Sequence, residues 1–170
     1  MVSINDAKFD GTTSKNEGVL RIATIGNLAV AHWAVYWVMN GLDKFLNRTD
    51  LGLFTWYGKD RSQQFGNYLS NTDMPAGMLN GLLYVTGVIE LLVALPLFYA
   101  LIAVVSGVSV SRRAFELGFL LSAAIFSGFS FFDVIIGDRA ELWEHGTFLI
   151  GLLLCYKLAK EEYESAGHFD

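Results

Sequence analysis

The sequence predicts an all-α integral membrane protein, a four-helix bundle with a long aromatic loop between its first two helices. Hydrophobic residues make up 53% of the 170 residues and charged residues only 17%, whereas soluble domains are about a quarter charged. The apolar residues are concentrated in four segments, each close to the roughly 20 residues that a helix needs to cross a bilayer. The length of the chain suits one domain.

Four predicted spans divide the chain, and polar segments flank them. The spans cover about residues 20–42, 78–102, 114–136 and 142–158. A polar amino-terminal arm, residues 1–19, precedes them, and a polar carboxy-terminal tail, residues 159–170, follows. The arm has no apolar core of the kind that a signal peptide needs, so we expect the first span to remain as an anchor.

The connection between the first two spans is long and aromatic. It contains LGLFTWYGKDRSQQFGNYLS, in which Trp56, Tyr57, Phe65 and Tyr68 are of the type that favours the membrane–water boundary. Phe65, Tyr68 and Leu69 share one face of a helix. The pattern predicts either a short interfacial helix or a loop that packs on its own bundle.

Charge distribution limits the partners and the orientation. A formal net charge of −5 disfavours nucleic acid or an anionic lipid surface as a partner. The segment SGVSVSRR, between the second and third spans, carries two arginines and no acid, which favours a cytoplasmic position by the positive-inside rule. We therefore expect both termini in the cytoplasm and the bundle in the inner or cytoplasmic membrane, in contact with lipid and with other membrane subunits.

Each predicted span carries one stripe of polar or small residues, spaced at about 100° per residue. Polar side chains in a membrane helix turn away from lipid, and small residues allow helices to approach closely. The four stripes are therefore expected to face one another. The residues on them that are candidates for a quinone or proton site are His32, Asn40, Lys44, Glu90, Asp133 and His145.

Two of these candidates are predicted near the centre of the bilayer. Glu90 is either a neutral acid, hydrogen-bonded across helices to Asn40 or His32, or a proton relay or ligand contact. His32 fits a haem or metal ligand, a proton acceptor or an interior histidine. Its depth differs from that of His145 by about 10 Å, too far for two opposed haem ligands.

Lys44, Asp133 and His145 converge at the predicted outer boundary. There, the spacing favours an ion pair of Asp133 or Glu144 with His145 or Lys44 over a metal site, because the paired Glu-x-x-His arrangement of di-iron bundles is missing. The sole cysteine, Cys155, cannot form an intrachain disulfide or a redox pair. We expect no metal and no covalently bound cofactor, and quinone or lipid as the non-covalent ligand.

Three segments of the chain resemble the DoxX/DoxD-like family of small four-span membrane proteins. They are NGLDKFL at the end of the first span, FGNYL in the loop and GLLYVTGVIELLVALPL in the second span. Gly87 and Glu90 occupy the family's G-x-x-E position, and Lys44 also fits the pattern. The resemblance implies a four-helix bundle associated with membrane redox systems, in which some members are subunits of a thiosulfate:quinone oxidoreductase.

Three functions are compatible with these features. The first is a non-catalytic or quinone-pocket-forming subunit of a larger, respiratory-type electron-transfer complex. The second is a quinone-reducing oxidoreductase subunit that acts with a redox partner. The third is a proton or small-solute carrier, which is disfavoured by the lack of an inverted repeat.

Overall fold

The computed structural model describes residues 23–70 and 75–170, and it is all-α apart from one short hairpin. The predicted arm, residues 1–19, lies outside this range. In chain order the elements are α1 (Ile25–Leu46), β1 (Thr49–Asp50), β2 (Thr55–Trp56), α2 (Arg61–Leu69), α3 (Ala76–Val105), α4 (Arg112–Ile136) and α5 (Arg139–Ser165). The two strands pair antiparallel, with Thr49 opposite Trp56. The prediction of an all-α chain is confirmed.

The four long helices form an up-down-up-down ring. Helix α1 packs against α3 and α5, and α4 packs against the same two helices. Helix α2 and the hairpin belong to the connection between α1 and α3. Of the two predicted alternatives for this loop, the structure has the short helix, and that helix packs on the bundle.

Helices α1 and α3 cross at two glycines. A Cβ atom added to Gly41 would lie 2.9 Å from the carbonyl oxygen of Gly87 and 2.7 Å from Cγ of Leu91. A Cβ atom added to Gly87 would lie 3.1 Å from the carbonyl oxygen of Gly41. The backbones approach this closely because neither position has a side chain, as in other helix pairs that cross at small residues.

Aromatic side chains fill the middle of the ring. Trp33 and Trp37 of α1 are buried and contact Phe126 of α4, and Trp33 also contacts Phe148 of α5. The indole Nε1 of Trp37 donates to Oγ of Ser122 at 2.7 Å, both groups being buried. The tryptophans of α1 thus pack against α4 and α5, and Gly41, one turn after Trp37, packs against α3.

The carboxy-terminal segment, residues 159–170, which was predicted as a polar tail, packs on the bundle and begins with the last turns of α5. Helix α5 continues to Ser165, and Tyr163 is fully buried against Phe115 and Phe169. The Tyr163 hydroxyl donates to the side chain of Asn27 at 2.7 Å. Alternation of charged and core-facing positions makes this last helical turn look polar in sequence although one face is buried.

Within residues 23–70 and 75–170, two helices are long and apolar enough to cross a membrane on length and composition alone. They are Asn80–Val105, with a mean hydropathy of 2.6, and Arg112–Ile136, with 2.0. Helix α5 does not qualify because charged residues occupy both of its ends, in RAELWEH and KLAKEEYES. Helix α1 carries Asp43 and Lys44 in its last turns, both of which are buried within the bundle.

The glycine crossing predicts an effect of added volume. Gly41→Ala should lower the free energy of unfolding by about 1–3 kcal/mol, because the new methyl group overlaps α3. Gly128→Ala is the matched control, since no heavy atom lies within 4 Å of its added Cβ, and it should be neutral or stabilising. Thermal unfolding in mild detergent, followed by circular dichroism, measures both. Equal melting temperatures for the two variants would contradict the close crossing.

Candidate functional site

A polar cavity lies at the end of the bundle where α1 ends and α5 begins, and α2 covers it. Its volume is about 70 Å³, room for several water molecules. Aromatic and charged side chains from all five helices line it. They are Tyr36, Asn40, Lys44, Arg61, Gln64, Phe65, Tyr68, Thr86, Glu90, Phe129, Phe132, Asp133, Glu141, Glu144 and His145.

A buried ion pair forms one wall of the cavity. Nζ of Lys44 lies 2.6 Å from Oε2 of Glu90, and the two side chains are 5% and 2% exposed. Lys44 also donates to the carbonyl oxygen of Asn40 at 3.2 Å. The pair lies one helical turn from the crossing of Gly41 and Gly87, so the close approach of α1 and α3 brings the two charges into contact. Each charge compensates the other where water is scarce.

A second pair joins α4 to α5. Nδ1 of His145 lies 2.6 Å from Oδ2 of Asp133, which confirms the predicted pairing. Gly137 makes it possible, since its φ of +80° ends α4 in a left-handed conformation that suits glycine. Asp138 then caps α5 by accepting from the backbone N–H groups of Ala140 and Glu141. This tight turn places the pair on facing helices.

The loop before α2 is fixed to the bundle by buried carboxylates. Asp43 accepts from the indole of Trp56 at 2.8 Å and from the backbone N–H of Lys59 at 3.3 Å. The Lys59 ammonium pairs with Glu141, at the start of α5. Oε2 of Glu141 lies 3.9 Å from Nε2 of His145. The loop thus connects α1 with α5 across the mouth of the cavity.

Helix α2 closes the cavity and is held by one tyrosine. The Tyr68 hydroxyl donates to Oδ2 of Asp138 at 2.6 Å, and Arg61 donates to Gln64 at 2.9 Å along the helix. The hydrogen bond from Tyr68, together with the backbone N–H groups that Asp138 caps, lowers the pKa of Asp138 below its ordinary value of 3.8. Burial and this bond to a carboxylate raise the pKa of Tyr68.

Five of the six predicted site residues line the cavity, and one does not. Asn40, Lys44, Glu90, Asp133 and His145 are together there. His32 is exposed on α1. Its ring lies edge-on to that of the neighbouring Trp33, with the ring centroids 5.1 Å apart. Its predicted inward position is wrong, because the two tryptophans take the interior face of α1.

The predicted partners of Glu90 are also wrong, since Lys44 pairs with it rather than Asn40 or His32. Sequence reasoning did not identify Tyr36 and Lys59 as site residues. Tyr36 precedes Asn40 by four residues and therefore shares its helical face. This spacing could have indicated the position of Tyr36. In the described ranges 23–70 and 75–170, no group of three or more His, Cys, Asp or Glu side chains is arranged to hold a metal ion.

The geometry defines a helical bundle with a capped, charge-lined cavity at one end. Comparison of the chain with protein-family models, with curated proteins and with solved structures finds no match. What the cavity can do therefore follows from its side chains: they donate and accept hydrogen bonds, exchange protons and present flat aromatic walls.

The buried ion pair predicts a large effect when one charge is removed. Lys44→Met should lower the free energy of unfolding by about 3–5 kcal/mol, because the Glu90 charge is left without a partner. The double variant Lys44→Met/Glu90→Leu should recover most of this loss. Lys157→Met is the control, since Lys157 and Glu161 are exposed and such pairs contribute about 0–1 kcal/mol. A Lys44 variant as stable as the Lys157 variant would show that the pair contributes nothing.

The Tyr68–Asp138 bond predicts a pH dependence. Because the pKa of Asp138 is lower in the folded chain than in the unfolded one, its carboxylate stabilises the fold at pH values above the ordinary pKa. That contribution is lost as pH falls through the folded pKa. Tyr68→Phe should raise the pKa of Asp138 towards 3.8, measured by ¹³C NMR titration of the carboxyl group. Tyr57→Phe, at an exposed tyrosine, should leave it unchanged. An unaltered titration in the Tyr68 variant argues against the bond.

Proposed function

We propose that the chain is a four-span integral membrane protein whose cavity binds the head group of a quinone, as a subunit of a larger electron-transfer complex. The observation that carries the proposal is the cavity itself, in which aromatic walls and paired acid–base groups meet at one end of a bundle with an apolar outer surface. The resemblance of the α1–α3 region to DoxX/DoxD-like proteins supports the same function.

The apolar outer surface of all four long helices supports the membrane position. Beyond the two apolar spans, α1 exposes Leu28 and Val35, and α5 exposes Leu153 and Leu154, each by at least half of its surface. Soluble monomers rarely expose apolar surface on this scale. A bilayer that holds only α3 and α4 would leave these side chains in water, because α1 and α5 complete the same ring.

The polar residues of α1 and α5 are compatible with that position. Lys44 and Glu90 neutralise each other inside the bundle, which is how intramembrane charges are accommodated. The charged carboxy-terminal turns of α5 lie at the end opposite the cavity, beside Arg112 and Arg113. By the positive-inside rule this end is cytoplasmic, and the cavity faces the other side of the membrane.

The side chains of the cavity suit a quinone ring. A quinone carbonyl accepts hydrogen bonds, which Lys44 and His145 can donate, and a quinol hydroxyl needs acceptors, which Asp133 and Glu90 provide. Tyr36 and Phe129 offer flat surfaces for the ring. A ring needs more room than about 70 Å³, since ligand pockets usually reach 300 Å³ or more. Because α2 closes the cavity, binding of a ring requires α2 to move outward.

The proposed role is that of a pocket-forming subunit. Reduction of a quinone to a quinol takes up two electrons and two protons. The lining side chains can pass protons, through His145 and its carboxylate partners, whereas electrons come from a redox centre on a partner subunit. Purification in mild detergent should therefore retain a redox-active partner with the chain.

The experiment first establishes the membrane position and then titrates quinone. Single cysteines placed at Asn67 and Ser109, in a Cys155→Ala background, should react with an impermeant reagent from opposite sides of the membrane. Purified protein should then bind a short-chain ubiquinone analogue, with quenching of tryptophan fluorescence as the readout. His145→Ala should weaken binding by about tenfold, the effect of one hydrogen bond to a buried polar group.

The matched control is Thr147, two residues further along α5. Thr147 is exposed and lies outside the cavity lining, so Thr147→Ala should change quinone affinity by less than about twofold. A Thr147 variant that binds more weakly than the His145 variant rejects the assigned site. Failure of the wild-type protein to bind the analogue rejects the quinone function.

A further inference from the structure

A groove on the outer surface of the bundle lies between α4 and α5, far from the cavity. Its volume is about 490 Å³. Phe119 and Leu152 form its buried floor, and Leu117, Leu120 and Leu153 form its exposed sides. Ala123 closes its inner end with a single methyl group. The groove is open to the surroundings of the protein, and its lining is apolar apart from Arg113, Glu116 and Tyr156.

The dimensions of the groove match one lipid leaflet. From Arg113 to Ala123 the groove follows ten residues of α4, which is about 15 Å by helical rise. The hydrocarbon core of a bilayer is about 30 Å thick, so the groove spans about half of it. An acyl chain of the leaflet on the Arg113 side can therefore lie along the groove from its mouth to its inner end.

Arg113 lies at the mouth of the groove. Among the described residues, Arg113 makes no hydrogen bond or ion pair. The acids nearby are already paired: Glu116 with Arg112 at 3.1 Å, and Glu164 with Arg112 at 3.0 Å. Lys160 adds a further positive charge, with Nζ 3.8 Å from Glu116. The mouth therefore has an excess of positive charge next to an apolar groove.

From these features we infer that the groove is a binding site for an anionic phospholipid, with the phosphate at Arg113 and one acyl chain between α4 and α5. Basic pockets between membrane helices on the cytoplasmic side bind lipids of this class. A zwitterionic lipid fills the groove with the same chains, but its head group carries no net charge to pair with Arg113. The inference rests on the membrane position in the proposed function and is independent of quinone binding.

Native mass spectrometry in mild detergent tests the site directly. The protein is mixed with equal amounts of dioleoyl phosphatidylglycerol and dioleoyl phosphatidylcholine, which differ only in the head group. Wild-type protein should retain phosphatidylglycerol in preference. Arg113→Gln should reduce that preference about fivefold, the effect of one basic residue near an anionic lipid. Arg139→Gln, at an exposed arginine on the opposite end of the bundle, is the control and should leave it unchanged.

A second variant tests the groove itself. Ala123→Phe should fill the inner end and reduce retention of both lipids alike. Equal retention of the two lipids by the wild-type protein, or equal loss in the Arg113 and Arg139 variants, overturns the inference. If quinone binding and the cysteine labelling pattern persist in that case, the proposed function stands without the lipid site. If both cysteines instead label from the same side, the membrane position fails and the lipid site fails with it.

Discussion

The contact between α1 and α3, two facing glycines with a buried ion pair one turn away, determines where the polar groups of the cavity lie. The glycines let the backbones meet, and at that distance Lys44 and Glu90 can reach each other. A rotation of either helix would bury one charge without the other, at a cost of several kcal/mol. The ion pair therefore specifies the rotational register of α1 and α3, and the glycines specify their separation.

The rest of the cavity is built on this register. With Lys44 directed at α3, the same face of α1 directs Trp37 at Ser122 of α4, and the end of the helix directs Asp43 at the loop. That carboxylate fixes the loop through Trp56 and Lys59, and Lys59 in turn reaches α5. The cover of the cavity is thus attached to two helices that are not neighbours in sequence, which places α2 over the charged groups.

Sequence reasoning predicted the helical class and the interior stripes because both depend on local periodicity. Gly87 with Glu90, and Asp133 with His145, lie on helices whose polar faces are unambiguous. His32 was misplaced because two tryptophans compete for the same side of α1, and aromatic volume decides the interior. The pairing of Lys44 with Glu90 was not predicted, because the backbones of the two residues lie at different levels along the helix axes. Long side chains lean towards the amino end of their helix, and in antiparallel neighbours this brings residues from different levels together.

The loop contacts could not be predicted for a different reason. Lys59 and Glu141 are 82 residues apart in the chain, and their meeting depends on the path of the hairpin. No periodic pattern encodes that path. Helix α5 was ended too early because charged residues on its outer face hide the buried Tyr163. In both cases the deciding information is tertiary packing rather than local sequence.

The two ends of the bundle differ in charge, and this difference bears on the ligands proposed for them. At the cavity, Lys44, Lys59 and Arg61 face a larger number of acids, including Glu90, Asp133 and Glu141. The excess of negative charge there would repel an entering anion. A neutral ring with hydrogen-bonding oxygens would not be repelled. At the opposite end, Arg113 has no acidic partner among the residues that the structure describes, so that end favours an anion. The balance of side-chain charges thus agrees with the two proposed ligands, a neutral quinone at the cavity and an anionic lipid at the opposite end.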